Sequence, residues 1–185
     1  MKRLELILLA FLATVACPVA AYAQDVPAPV SKIIEELECN MQRSMPDWKR
    51  ERVEPFSKTE RVVIDMWSNC GRRVKVAISY ASSEAEAIKG LRRPTVTEGK
   101  AVPGLGDEAF AWGYSDDIGM RKGNLVFSIS AGAFPSLPGV DAGESSALSR
   151  AEEVALNKGF ARLISTFLSN PSIKCGEPID RYRVR

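Results

Sequence analysis

The feature that most constrains the fold of this chain is an alternation of apolar and polar residues with a period of two. The alternation runs through residues 62–67 and 74–80, interrupted at 68–71, and again through Leu125–Ala131. Successive side chains of a strand point to opposite faces of a sheet, so these stretches predict strands. The short interruption predicts a hairpin with Cys70 at its turn.

Further strand-like stretches cover Glu108–Trp112 and Asp117–Arg121, and residues 122–124 suit a tight hairpin turn before Leu125. Three helices are predicted from a period near 3.6. The first begins after the N-cap Ser31, and the second after Ser83, where Glu86 completes a capping box. The third begins near residue 146 and ends at 170–171, and residues 134–143 are expected to form a loop.

The elements therefore follow the order α-β-β-α-β-β-β-α. We expect an α+β domain in which an antiparallel sheet of about five strands is flanked by helices. The apolar stripes of the first and third helices should face the sheet. They consist of Ile33, Ile34, Leu37 and Met41 in the first helix and of Leu156, Phe160, Leu163, Ile164 and Phe167 in the third.

The N-terminus has the sequence features of a secretory signal. Lys2 and Arg3 precede an apolar run over residues 6–16, and small residues at 21 and 23 predict cleavage after Ala23. This divides the chain into a signal peptide (1–23), a flexible leader (24–30) and a single domain (31–185). The predicted location is periplasmic or secreted, with no stable membrane span after processing. A lipoprotein anchored through Cys17 is the alternative, although Thr14 stands where such signals usually carry leucine.

Composition excludes several kinds of chemistry. The chain has no histidine, which argues against hydrolases with an imidazole base and against most catalytic zinc sites. A net charge of +2 gives no basis for nucleic-acid binding. No metal or cofactor is expected. After processing, Cys39, Cys70 and Cys175 remain, and spacing alone leaves open which two of them pair.

The sheet supplies the candidate ligand-binding residues. One predicted face is apolar, and the other carries Asp65, Lys75, Ala77, Ser79, Ser128 and Ser130. Strand parity places Trp67 on the polar face, where it either is covered by a flanking segment or forms the floor of a binding surface. Lys75 lies on that face too, as does Arg121 if Met120 points to the core. Trp67, Lys75 and Arg121 are therefore predicted to meet an anionic or amphipathic ligand.

A glycine-rich segment precedes the strand at 108–112. Gly104, Gly106 and Ala109 match the spacing of a dinucleotide fingerprint, but a strand rather than a helix follows and Asp107 brings a negative charge. We interpret Gly104 and Gly106 as a tight turn in which Asp107 binds local backbone amides. A cation or ligand bound by Asp107 and Glu108 is the alternative.

Residues 102–110 (VPGLGDEAF) and 120–126 (MRKGNLV), followed by a long C-terminal helix, resemble small exported lipoproteins and kinase sensor domains. The resemblance covers roughly residues 39–168 and implies a PsbP-like fold, an antiparallel sheet flanked by helices. In many such proteins a cysteine near the first helix bridges one near the first strands. Cys39 and Cys70 occupy those places, and a turn at Cys70 could reach the outward side of the helix. The resemblance brings no catalytic residues.

These observations predict an exported, non-enzymatic module of the cell envelope that binds a ligand or protein partner. The alternative is a hydrolase that uses paired carboxylates on an envelope polymer. Carboxylates converging in a cleft would favour the hydrolase, whereas an apolar groove floored by Trp67 would favour binding. A purely structural accessory subunit would have neither.

Overall fold

The computed structural model describes residues 27–53, 61–92, 99–114, 116–132 and 148–170. The predicted signal peptide, the loop at 134–143 and Cys175 lie outside these residues. The described elements, in chain order, are α1 (Ala28–Ser44), β1 (Lys49–Val53), β2 (Val62–Asn69), β3 (Arg72–Tyr80), α2 (Glu84–Leu91), β4 (Lys100–Ala101), β5 (Glu108–Trp112), β6 (Asp117–Lys122), β7 (Leu125–Ala131) and α3 (Arg150–Ser169).

The strands form one antiparallel sheet in the order β1-β2-β3-β7-β6-β5-β4, with helices on its faces. The predicted α+β class is thus confirmed, but the described residues contribute seven strands to the sheet instead of about five. The additional strands, β1 and β4, are its two edges. Edge strands are often short or charged, and here β1 reads KRERV and β4 has only two residues, so neither shows apolar alternation.

The predicted hairpins are present. Asn69 pairs with Arg72, so only Cys70 and Gly71 form the turn between β2 and β3, both with positive φ (46° and 80°). Lys122 pairs with Leu125, which leaves Gly123 and Asn124 as the turn between β6 and β7. Two-residue turns of this kind match the twist of the strands they join.

The strand register divides the sheet into two faces. On the inner face, cross-strand neighbours form continuous apolar rows, one of which runs through Val76, Ile129 and Ile118, each at most 1% exposed. Asp65 pairs with Val76 and Trp67 pairs with Val74, so both lie on this inner face. The prediction that Asp65 belongs to the polar face is therefore wrong. Ile64 and Met66 have the opposite parity and point to the other face, beside Ala77 and Lys75.

Helices α1 and α3 cover the inner face. The buried residues of the α3 stripe are Phe160, Ile164 and Phe167, as predicted. The ring of Phe160 packs edge to face against both Trp67 and Trp48, with centroids 6.2 and 5.1 Å apart. In a packed core such aromatic contacts add to the burial of apolar area.

Helix α1 begins earlier than predicted. Its first residue is Ala28 and Pro27 is the N-cap, so Ser31 lies within the helix and the expected leader is partly helical. Pro29 is tolerated in the first turn because the backbone N–H it lacks would have no helical partner there. Ile34, Leu37 and Met41 are buried as expected, but Ile33 is 42% exposed.

Helix α2 packs on the outer face of the sheet, and the Ser83 hydroxyl accepts a hydrogen bond from the Glu86 amide, as predicted for the N-cap. The Glu86 carboxylate instead accepts from the Ser82 amide at 2.7 Å, so the predicted capping box is not completed at Ser83. Its Ala87 and Leu91 are buried. Helix α3 begins with a capping box between Ser149 and Glu152, a few residues after the predicted start. Among the described helices, none is long and apolar enough to cross a membrane.

The expected bridge between Cys39 and Cys70 is not formed. Cys70 is exposed with a free thiol, while Cys39 is not free. The turn that carries Cys70 contains only two residues, Cys70 and Gly71, and lies at the end of the hairpin.

Candidate functional site

The outer face of strands β2, β3 and β7 is the candidate binding surface. Its residues are all half-buried and form two cross-strand rows. They are Met66, Lys75 and Ser130 in one row and Ile64, Ala77 and Ser128 in the next, which we call the outer-face rows. Three of the six side chains, those of Ala77, Ser128 and Ser130, are small. The apolar residues Ile64 and Met66 lie on β2.

Helix α2 borders the outer-face rows. It packs against β6 and β7, and its Leu91 approaches Gly119, the β6 residue that pairs with Ser128. A Cβ on Gly119 would lie 2.7 Å from the Trp112 ring and 3.0 Å from the Leu91 side chain. The absence of a side chain at Gly119 therefore lets Trp112 and α2 close against the sheet and form one wall beside the small residues.

A polar group lies at one end of the outer-face rows. Ser130 is the cross-strand partner of Lys75 and hydrogen-bonds to Asp117 at the start of β6. Burial raises the pKa of Asp117, although the hydrogen bonds with Ser130 and Asn157 and the charge of Lys75 oppose that rise. Lys75 is thus a cation held beside a partly desolvated carboxyl group.

The structure separates the predicted ligand-binding residues. Lys75 lies on the outer face, but Trp67 is only 1% exposed on the opposite face. Trp67 is therefore not the floor of an exposed surface. Of the two alternatives weighed for it, the covered one holds, because Phe160 of α3 packs on its ring.

Arg121 shares the outer face with Lys75, as predicted from the inward direction of Met120, which is fully buried. However, Arg121 is only 6% exposed. One terminal nitrogen donates to Glu84 of α2 at 2.8 Å, to the Gly123 carbonyl at 3.1 Å and to Asp107 at 3.3 Å. These contacts hold one end of the guanidinium between α2 and the sheet, and its burial removes Arg121 from the candidate binding set.

The side chain of Asp107 is held by contacts within the protein. Its carboxylate accepts hydrogen bonds from the Gly123 amide at 2.7 Å and from the Lys122 ammonium at 2.9 Å. The bond with the Gly123 amide, followed by that with Lys122, lowers the pKa of Asp107. The predicted bond to a backbone amide is thus present, but the amide belongs to the next hairpin.

Gly104 and Gly106 both have positive φ, as the turn interpretation requires. The Gly106 amide donates to the Ser165 hydroxyl at 3.0 Å, which links this turn to α3. Glu108 forms an ion pair with Arg92.

A second group of charges was missed by the sequence interpretation. Glu38 of α1 and Asp65 of β2 lie beneath the guanidinium groups of Arg50 and Arg52 of β1, and we call these four residues the ionic cluster. Both arginines contact Glu38, and Arg52 donates to Asp65 at 2.7 Å. The only available signal was the alternation of arginines at positions 50 and 52, which places both on one face of a strand.

The carboxylates of the ionic cluster are deeply buried. Glu38 is 7% exposed and Asp65 is 1% exposed. Burial, and then the negative charge of Asp65, raise the pKa of Glu38 to about 7, whereas Arg52 and Arg50 act to lower it. Glu38 therefore changes its protonation state near neutral pH.

Glu38 and Asp65 are two neighbouring buried carboxyl groups. Arginines contact both carboxylate oxygens of Glu38 and the Oδ1 of Asp65, so these oxygens are engaged within the protein. No cluster of three or more histidine, cysteine, aspartate or glutamate residues that could hold a metal ion occurs in the described parts of the chain.

No protein-family model, curated protein or solved structure matches the chain. The resemblance to exported lipoproteins and sensor domains accordingly stays a prediction.

Proposed function

We propose that this protein is an exported module of the cell envelope that binds an anionic amphipathic ligand on its outer-face rows. The observation that carries the proposal is the asymmetry of the sheet. The inner face is covered by α1 and α3, whereas in the described residues only α2 packs on the outer face, against β6 and β7. The apolar side chains of Ile64 and Met66 therefore lie on a face of β2 that no described helix covers.

The chemistry of the surface selects the ligand class. Ile64 and Met66 offer apolar contact, and the small side chains of Ala77 and Ser128 lie between them and the wall at Trp112. Arg73 and Lys75 are two residues apart on β3, so both point to its outer face, and both are half-buried. An apolar body with an attached negative group would match this arrangement of apolar and cationic side chains.

Vesicle binding tests the proposal. Purified protein is mixed with phosphatidylglycerol vesicles and, separately, with vesicles of zwitterionic phosphatidylcholine, which carry no net charge. Sedimentation measures the bound fraction. We expect binding to the anionic vesicles that weakens with added salt, because screening reduces charge attraction. Ala77→Tyr places a large side chain among the small residues of the outer-face rows, and Lys75→Gln removes a positive charge. Each should weaken that binding about tenfold, a change of ~1.4 kcal/mol.

Two variants on α2 serve as matched controls. Ala85→Tyr and Lys89→Gln repeat the chemical changes at exposed positions outside the outer-face rows. Both should bind as the unmodified protein does. Equal binding by Ala77→Tyr and Ala85→Tyr would show that the proposed surface is wrong. So would a failure of the unmodified protein to bind phosphatidylglycerol vesicles.

Export is part of the same proposal and rests on the N-terminal sequence. N-terminal sequencing of protein recovered from the producing cells should begin at Gln24. A mature chain that begins at a lipid-modified Cys17 would instead establish the lipoprotein alternative. The PsbP-like resemblance supports an accessory or sensing role for such a module.

A further inference from the structure

We propose that the ionic cluster is a proton-responsive clamp, which holds edge strand β1 and helix α1 together more firmly in acid than in alkaline solution. The inference concerns a different part of the molecule from the outer-face rows. It rests on the positions, burial and charges of Glu38, Asp65, Arg50 and Arg52.

The geometry makes the cluster a connection between three elements. Arg50 and Arg52 are two residues apart on β1 and both point to the inner face, where they reach Glu38 of α1. Arg52 also contacts Asp65 of β2 at 2.7 Å, and Arg50 lies 3.8 Å from it. A separation of α1 from β1 therefore breaks the contacts of Glu38 with both arginines.

Burial is unequal within the cluster. The side chains of Arg50 and Arg52 are 32% and 47% exposed, whereas those of Glu38 and Asp65 are 8% and 2% exposed. The arginines therefore keep part of their hydration in the closed arrangement, but the carboxylates do not. If β1 and α1 separate, the group that gains most water is the Glu38 carboxyl.

Protonation is linked to this separation. In the closed arrangement the charges acting on Glu38 are those of Asp65 on β2 and of Arg52 and Arg50 on β1, and burial together with Asp65 outweighs the arginines. In an open arrangement the solvated carboxyl group would return toward its ordinary pKa. The closed form consequently binds a proton more tightly than the open form, so acid favours closure.

The size of the effect follows from the two pKa values. The pKa of Glu38 lies at about 7 in the closed form against an ordinary value of 4.5. The ratio of closed to open forms should thus fall as the pH rises from 4.5 to 7 and level off above 7. A difference of this size corresponds to at most roughly 300-fold in that ratio, and we expect at least about tenfold between pH 5 and pH 8.

Amide hydrogen exchange tests the clamp. Protection factors of the β1 amides (Lys49–Val53), corrected for the intrinsic pH dependence of exchange, are measured at pH 5 and pH 8, with those of α2 (Glu84–Leu91) as an internal reference. We expect the protection of β1 to be at least about tenfold higher at pH 5 and that of α2 to change much less. Protection of β1 that is constant, or lower in acid, would overturn the proposal, as would an equal change throughout the chain.

Glu38→Gln supplies a permanently neutral side chain of nearly the same shape. In this variant the pH response of β1 should disappear, whereas Glu51→Gln, an exposed control on the same strand, should retain it. A pH response that survives in Glu38→Gln refutes the role of Glu38. If Glu38→Gln does not fold, carboxyl carbon NMR of the unmodified protein decides: a Glu38 titration midpoint near 7 is expected, and one near 4.5 refutes the clamp.

Discussion

The carboxylate of Asp107 accepts a 2.7 Å hydrogen bond from the backbone amide of Gly123, which lies 16 residues further along the chain. The contact joins the turn before β5 to the tight turn between β6 and β7. The Asp107 amide donates to the Arg121 carbonyl at 2.8 Å, so the connection is made from both the side chain and the backbone. One aspartate thereby fixes the relative position of two hairpin segments.

Removal of this carboxylate should destabilise the domain. We expect Asp107→Ala to lower the free energy of unfolding by ~1–3 kcal/mol, because the Gly123 amide and the Lys122 ammonium lose their shared acceptor. Urea denaturation measures the change. Asp47→Ala is the matched control at an exposed position and should change stability by less than ~0.5 kcal/mol. Equal stabilities of the two variants would contradict the structural role of Asp107.

The same contact predicts a dependence on acid. The pKa of Asp107 is lowered in the folded protein, so its contribution is present above the ordinary value of 3.8 and is lost as the pH falls below it. Between pH 5 and pH 2 the unmodified protein should therefore lose more stability than Asp107→Asn. Parallel pH profiles for the two proteins would argue against this contribution.

Gly106 allows the turn to approach β6. A Cβ at this position would lie 2.2 Å from the Arg121 carbonyl oxygen, and its φ is +58°. We expect Gly106→Ala to cost more than ~2 kcal/mol in urea denaturation, since both the backbone conformation and the contact oppose a side chain. Gly90→Ala, in a helical position with open space around it, should instead stabilise by about 0.5–1 kcal/mol.

Trp67 tests the assignment of the sheet faces. Because its ring is buried against Phe160, Trp67→Ala should lower the free energy of unfolding by ~3–5 kcal/mol. Tyr114→Ala removes an aromatic ring that is 74% exposed and should cost at most ~1 kcal/mol. A loss below ~1 kcal/mol for Trp67→Ala would be incompatible with its place in the core.

The cysteines should differ in reactivity. Cys70 is exposed and free, so we expect a maleimide to label it in the native protein without reduction. Cys39 should resist labelling until the protein is reduced and unfolded, and non-reducing peptide mapping should find it joined to a cysteine other than Cys70. A peptide that contains Cys39 linked to Cys70 would overturn this assignment.

The sequence by itself determined the elements in which local preference and burial agree. The alternation over Leu125–Ala131, the hairpin turn at Cys70 and the cap at Ser83 were predicted close to their observed positions. In each case the period or the turn residues express a constraint that acts over only a few residues. Edge strand β1 escaped prediction because four of its five residues are charged.

Tertiary structure alone decided which polar residues are buried and with what partners. Parity correctly placed Asp65 and Trp67 on one face, but nothing in β2 indicates that this face is the covered one. Asp65 is accommodated there because Arg52, on a strand that the sequence pattern does not show, supplies a compensating charge. Likewise, only the docking of α2 turns Arg121 from an exposed cation into a buried connection to Glu84. Such partners are distant in sequence, and the energy of burying a charge depends on where those partners lie.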